Sequence, residues 1–492
     1  MSAAFNAYES VGRNYIDGQW TVSESGETFE QRNPANLDDV TGCFQASTPG
    51  DTDAAIAAAE RAFATWRRVP APERGALLRR VLALMEERRE ELAAVLTREN
   101  GKTLVESRGE IASAIKEMDF QIAQGVRAHG ETIPCLKEGV FAYSMRVPLG
   151  VVGVITPWNF PLNVIIRKSV PALASGNTCV LKPASLTPRT GSCVVALFDE
   201  AGFPPGVINL VTGSGRNVGD VLVTDPRVRA ISFTGSTAVG KAIQTRAAAT
   251  LAKTQLEMGG KNPLVVLADA DLDDAADVAV TAAYACAGQW CTSTSRVLVE
   301  APIAERFTDM LLKRVAKVTV GDGAHTDTGM GPVCGTQQME DILGYIEQGK
   351  AEGARLLAGG HRLLDPPLDK GCFIAPTVFG DVTPAMTIAQ EEIFGPVLSV
   401  MKVADFEEAV RVANDVPFGL ASSIFTNDLS KAMAFVEQTD VGLTHVNLST
   451  ALKEPPLSFG GVKESGFGTP EAGTSGIEFC TEHKVAYVRY RS

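Results

Sequence analysis

The stretch AYACAGQWCTSTSR, residues 283–296, places two cysteines five residues apart among small and polar residues. Cys286 lies among alanines, the setting of a small core residue. Cys291 is bracketed by Gly288, Gln289, Thr292, Ser293 and Thr294, a tight polar setting able to supply backbone donors. That suits a nucleophile, although environment alone leaves a packed thiol open as well. Thiol chemistry on an acyl group also needs a base and an oxyanion donor. Glu257, in LEMGGKNP (256–263), precedes two glycines that let backbone or a ligand approach closely. By itself it reads as a solvated or capping carboxylate, and its functional reading needs a partner. Asn159 is held between the prolines of PWNFP (157–161) after an apolar strand. Its amide could serve a developing oxyanion, or the run is a structural turn.

FTGSTAVGKA (233–242) matches the P-loop spacing GxxxxGK after a strand, yet Ala242 stands where a Ser or Thr must hold Mg²⁺. The triphosphatase reading thereby loses its metal. Glycines at a strand-to-helix turn, with Ser236 at the helix start, still suit a nucleotide phosphate. GSGRNVG (213–219) is one residue too long for GxGxxG, and no GxSxG is present. The nine cysteines include no CxxC pair and the five histidines no HxxxH, so no metal site is expected. An odd, scattered cysteine set points to free thiols in a reduced cytoplasmic compartment. The net charge of −13 argues against nucleic acid and anionic membranes as main partners. The N-terminal MSAAFNAYESVGRNYIDGQW has no apolar signal-peptide core, and the prolines of 147–166 speak against a spanning helix. A buried strand running into a structured loop is expected there.

Elements must bring these residues together. At 492 residues, two or three domains are expected. Residues 51–68 and 73–100 carry apolar residues at helical spacing and read as two amphipathic helices. From residue 150 the short β-rich runs VVGVIT, TCVLKPA, VINLVTG and AISFTGS alternate with helical segments, which predicts βαβ units and a parallel sheet. LVVLADAD (264–271) and RVLVEA (296–301) begin a second set, giving two α/β domains, the first completed by the N-terminal helices. HKVAYVRYRS reads as a terminal strand that pairs with another subunit or forms an ordinary edge.

Taken in order, PWNFP, KPAS (182–185), FTGSTAVG, LEMGGKNP, GQWC (288–291), EEIFGP (391–396) and SFGGVKESGFG (458–468) resemble the aldehyde dehydrogenase superfamily over nearly the whole chain. The resemblance implies an α/β fold of two Rossmann-like parallel-sheet domains plus a small β oligomerisation arm. It divides the chain into an NAD(P)-binding domain (1–127 and 148–258), a catalytic domain with the nucleophilic cysteine (259–470), and the arm (128–147 and 471–492) that builds a homodimer or homotetramer. Cys291 would attack the aldehyde and form a thiohemiacetal, with Asn159 and the Cys291 N–H holding the oxyanion. Hydride would pass to the nicotinamide, and Glu257 would activate the water that hydrolyses the thioester. The implied cofactor site comprises Thr156, Pro157, Trp158, Lys182, Ser185, Gly215, Phe233, Gly235, Ser236, Glu392 and Phe394.

Two positions refine this. Family members that prefer NAD often have a glutamate where Ser185 stands; a serine beside Lys182 leans toward NADP over NAD. Arg167, in NVIIRKSVPAL, resembles the carboxylate-binding arginine of succinate-semialdehyde dehydrogenases, or else forms a structural salt bridge. Trp290 would narrow the pocket. NLSTALKEPPLSFGG looks closer to α-ketoglutarate semialdehyde dehydrogenases. The expected substrate is therefore a small aldehyde bearing a remote carboxylate. Aromatic or plain aliphatic aldehydes, and a CoA-acylating variant, are the alternatives.

Overall fold

The computed structural model describes residues 11–490. The first ten residues of the run read above as lacking a signal peptide, and the last two of the terminal strand segment, lie outside the described residues. Two sheets organise the rest. The first has eight strands in the order Gly466–Gly468, Lys253–Glu257, Val228–Thr234, Val151–Ile155, Thr178–Lys182, Ile208–Leu210, Asn14–Ile16 and Gln19–Thr21. Its five inner strands, from Lys253–Glu257 to Ile208–Leu210, are parallel, and Val151–Ile155 and Thr178–Lys182 are buried throughout. Helices on both faces explain why these runs read as continuous apolar strings. The second sheet has seven strands, with Asn262–Val266 and Thr294–Glu300 adjacent and parallel near its middle.

Three features differ from the sequence reading. Five N-terminal strands precede the helices among the described residues, and Asn14–Ile16 with Gln19–Thr21 forms a hairpin on the edge of the first sheet. Its turn, Asp17-Gly18, has φ of +53° and +77°, the positive values a two-residue hairpin of this type needs. Second, the run 73–100 is two helices, Ala71–Glu87 and Arg89–Asn100, broken at Arg88 (φ −101°, ψ 21°). The apolar spacing continues through the break, so periodicity could not show it. Third, the loop after Val151–Ile155 is short, and Pro161–Ala174 is a helix with every residue buried.

That helix opens without a cap of its own. Its missing acceptor is Glu110, from the helix Leu104–Gly125, whose Oε1 accepts the N–H groups of Leu162 and Asn163 at 2.9 and 3.0 Å. The other oxygen accepts from Lys102 Nζ at 2.6 Å, and Lys102 also donates to the Asn159 carbonyl at 2.5 Å. Asn100 Nδ2 donates to the Trp158 carbonyl at 2.9 Å. The PWNFP loop is thus pinned from behind by buried side chains. At the C-terminus, Thr481–Arg489 pairs antiparallel with Val140–Pro148, leaving Phe141, Val485, Tyr487 and Val488 exposed. Among the described residues, no helix is long and apolar enough to cross a membrane.

Replacing Glu110 by alanine strands the buried Lys102 ammonium and two helix N–H groups. The expected loss is on the order of 3–5 kcal/mol, seen as a lowered denaturation midpoint. A midpoint equal to the wild type's would contradict this assignment.

Candidate active site

Cys291 follows a strained turn. After the helix Leu272–Tyr284 the backbone takes three consecutive positive φ values, at Cys286 (+50°), Ala287 (+54°) and Gly288 (+69°). A side chain at Gly288 would bring its Cβ to 2.1 Å from the Gly395 carbonyl oxygen, so only glycine fits. The two non-glycine residues cost about 1 kcal/mol or more each, offset by what holds the turn. Gln289 Nε2 donates to the Cys286 carbonyl at 3.0 Å, and Gln289 Oε1 accepts from the Cys334 N–H at 2.8 Å. Asn262 Nδ2 donates to the carbonyls of Cys291 (2.8 Å) and Ser293 (2.9 Å). Asn159 is buried beside this loop and donates from Nδ2 to the Gln289 carbonyl at 3.0 Å. A second N–H on the same nitrogen remains for a ligand.

A tunnel of about 340 Å³ joins Asn159, Glu257, Cys291 and Trp290. Trp290 packs on Phe160 with ring centroids 5.0 Å apart and so narrows one wall. Cys286 is buried, as its alanine neighbours imply, and also borders the tunnel. Burial pushes the Cys291 thiol up to about 12, with Glu392 adding to the effect. Glu257 ends the strand Lys253–Glu257, and its Oε2 is buried without a hydrogen-bond partner. Burial, reinforced by the Glu471 carboxylate, raises the Glu257 carboxyl well above its ordinary value, while Lys168 and Arg167 oppose the shift. Thiol and carboxyl are both shifted toward their neutral forms, one a latent nucleophile and the other a latent base.

On the other side of Cys291 lies a cleft of about 860 Å³. Pro157, Trp158, Gly235, Ser236, Glu392 and Phe394 line it, together with residues of the helix Thr336–Ala351 that the sequence reading did not single out. Gly260 N–H donates to Glu392 Oε1 at 2.9 Å, and Trp158 meets the Phe394 ring edge-on at 5.3 Å. Thr234 Oγ1 is buried and unpartnered beside the glycine turn. Phe233 is buried beneath Gly235, where an added Cβ would lie 2.5 Å from its ring. Thr156 is buried and donates its N–H to the Lys182 carbonyl at 3.2 Å. Lys182, Ser185 and the turn Gly215–Gly219 form a neighbouring group: Ser185 Oγ donates to the Gly213 carbonyl at 3.2 Å, and a Cβ on Gly219 would touch Lys182 Cδ at 3.8 Å. Lys182 Nζ is buried, meets the Pro183 carbonyl at 3.2 Å, and is pushed down to about 8 by desolvation. The P-loop-like lysine, Lys241, points elsewhere, to Glu464 at 2.7 Å.

Arg167 lines the tunnel, but its guanidinium is not free for a ligand carboxylate: it forms the structural salt bridge that was the alternative reading. Its Nε and Nη2 fork onto Glu117 at 2.8 and 2.9 Å, Nη1 donates to Glu471 at 2.9 Å, and Nη2 also reaches Asn163 Oδ1 at 2.8 Å. Lys168 Nζ meets the other Glu471 oxygen at 2.7 Å. Burial works against the guanidinium's charge, and the two carboxylates more than offset it. Lys168 and Arg167 likewise hold Glu471 below its ordinary value against the cost of burial. Sequence reading missed Glu117, Glu471, Asn163 and Lys453, which have no motif of their own.

The aldehyde dehydrogenase family model matches residues 20–486. An alpha-ketoglutaric semialdehyde dehydrogenase of Bacillus subtilis is 46% identical over 97% of this chain and 98% of its own length. An alpha-ketoglutarate semialdehyde dehydrogenase of Haloferax volcanii is 40% identical over 97% of this chain and 99% of its own. The crystal structure of a betaine aldehyde dehydrogenase from Staphylococcus aureus in complex with NAD+ superposes with a TM-score of 0.96 at 36% identity, covering 99% of this chain and 96% of that one.

Glu257→Gln should give a burst of reduced cofactor and then a steady state slower by roughly 10²–10⁴-fold, and Cys291→Ala should lose turnover while still binding cofactor; full turnover in either variant contradicts its role. Because the buried thiol titrates upward, iodoacetamide labelling of Cys291 in the free protein should rise roughly tenfold per pH unit between about pH 7 and 9. A flat profile, read at that residue by mass spectrometry, contradicts the raised value.

Proposed function

Since the chain belongs to the aldehyde dehydrogenase family, an NAD(P)-dependent oxidoreductase family by chemistry, we propose that its substrate is a semialdehyde with a remote carboxylate, best matched by 2,5-dioxopentanoate (α-ketoglutaric semialdehyde). The observation that carries this reading is the tunnel itself. Its largely apolar lining, Phe459 and Val164 among it, also carries Asn163, Arg167, Lys453 and Glu471. An apolar aldehyde would leave the Lys453 ammonium and the unpartnered Asn163 Nδ2 beside hydrocarbon, at a desolvation cost. The names of the two curated relatives support the same class.

In this reading Cys291 Sγ, as thiolate, bonds to the aldehyde carbon. The carbonyl oxygen becomes an oxyanion and accepts hydrogen bonds from Asn159 Nδ2 and the Cys291 N–H. The nicotinamide cofactor, when bound, supplies the acceptor for the hydride. The thiohemiacetal on Cys291 thereby becomes a thioester. Glu257, once ionised, takes a proton from the water that attacks the thioester carbon. Collapse of the resulting adduct breaks its C–S bond, releasing the acid and leaving the Cys291 thiolate. Glu257 argues for hydrolysis over transfer to CoA.

The residues present fit such a cofactor. The glycine turn at Gly235 keeps side chains out of the cleft, Thr234 Oγ1 is a spare polar atom beside it, and Glu392 and Phe394 wall its far side. We lean toward NADP over NAD at its adenosine end. Lys182 is a buried cation whose charge an anionic partner would favour, and the exposed Ser185 presents no carboxylate to repel a 2′-phosphate. The exposed apolar strip of the terminal strand pair is the surface by which copies of the chain would assemble as a homodimer or homotetramer.

The test compares kcat/KM for 2,5-dioxopentanoate and succinate semialdehyde with that for butyraldehyde, with NADP and NAD in parallel. A charge-assisted contact worth about 2 kcal/mol predicts roughly a thirtyfold preference for the acids. Equal values, or a preference for butyraldehyde, would return the reading to a general aldehyde dehydrogenase; a preference for NAD would reject the cofactor assignment alone.

A further inference from the structure

We infer that the remote carboxylate is held by Lys453 Nζ and Asn163 Nδ2, and that Arg167 acts as the positioning residue behind them. This rests on the semialdehyde reading and says which atoms would produce its specificity. Asn163 is 2% exposed, lines the tunnel, and has an Nδ2 with no hydrogen-bond partner. The orientation of that amide follows from its neighbours. Arg167 Nη2 reaches Oδ1 at 2.8 Å and Lys453 Nζ approaches the same oxygen at 3.4 Å. Both are donors without acceptor capacity, so the oxygen faces them and the NH₂ is turned away from both cations. A buried amide donor left without an acceptor is destabilising, and a ligand carboxylate would relieve it.

Lys453 supplies the charge. Its side chain is 25% exposed, against 7% for Arg167, and it comes from a loop whereas Arg167 sits inside a buried helix. In the structure its Nζ rests on Glu117 Oε1. Glu117 does not depend on it, because the Arg167 fork already engages both carboxylate oxygens at 2.8 and 2.9 Å. Lys453 can therefore turn toward a ligand carboxylate without leaving Glu117 unpaired, a freedom that Arg167 lacks between its two glutamates.

The surrounding charges allow an anion here. Arg167, Lys168 and Lys453 pair with Glu117 and Glu471, so cations exceed carboxylates by one in this cluster. Of the three other acidic residues on the tunnel, Glu110 is engaged by Lys102 and Glu106 by the N–H groups of Thr103 and Cys286, while burial raises the Glu257 carboxyl and so disfavours its charge. A carboxylate at Lys453 and Asn163, with its aldehyde carbon at Cys291, would extend along the tunnel both residues line.

The experiment measures the ratio of kcat/KM for 2,5-dioxopentanoate to that for butyraldehyde in the wild type, Lys453→Met, Lys453→Arg and Asn163→Asp. Asn163→Asp keeps an oxygen for Arg167 and replaces only the donor, so it is the variant to rely on if Lys453→Met folds poorly. The ratio should fall by about tenfold or more in Lys453→Met and in Asn163→Asp, and recover in part in Lys453→Arg. Equal losses on both substrates would mean a structural role and overturn the inference. A wild-type acid preference that survives in both variants would overturn the inference while leaving the semialdehyde reading intact. No acid preference in the wild type would remove both.

Discussion

The Glu471 carboxylate, shared between Arg167 at 2.9 Å and Lys168 at 2.7 Å, is the interaction on which the rest of the site depends. All three groups are buried, and each is tolerable only because the others are present. The pairing ties the C-terminal strand Glu471–Ala472 to the helix Pro161–Ala174, two parts of the chain far apart in sequence. It also sets the chemistry. Its two cations hold Glu471 below its ordinary value, while burial and the Glu471 carboxylate push the neighbouring Glu257 upward. Two carboxyl groups with opposed shifts are the usual arrangement when one is structural and the other transfers protons.

A second buried pair, Lys102 with Glu110, does for Asn159 what the first does for Glu257. Glu110 closes the open N-terminus of the helix Pro161–Ala174, and Lys102 holds the Asn159 carbonyl. Both pairs draw on one helix. Glu106, Glu110, Ser113 and Glu117 recur at spacings of four, three and four along Leu104–Gly125, which places them on a single face turned toward the tunnel and the arginine behind it. The polarity of the substrate wall is thus a property of this helix face combined with Asn163, Arg167 and Lys453.

That stripe explains what was legible in the sequence. The motif residues Cys291, Glu257 and Asn159 could be picked out locally, because glycines, prolines and small residues mark tight turns wherever they occur. The inner parallel strands were equally readable as short apolar runs between helices. A polar stripe on a helix, by contrast, looks the same whether it faces water or a tunnel, and Glu117 pairs with a residue fifty positions away. No spacing rule reaches that far, so Arg167 could be recognised as a cation in need of an anion, ligand or salt bridge, but neither glutamate partner could be named. The Asp17-Gly18 hairpin is a different case: its turn signal was present, and the long helices beside it drew the reading away.

The measurement that bears most directly on this account is a crystal structure of the Glu257→Gln acyl-enzyme, formed with cofactor and 2,5-dioxopentanoate and trapped before hydrolysis. The account predicts a thioester on Cys291 with its carbonyl oxygen within hydrogen-bond reach of Asn159 Nδ2, and the distal carboxylate against Asn163 Nδ2 and Lys453 Nζ. Acylation of any other residue, or a carboxylate lying away from both donors, would contradict it.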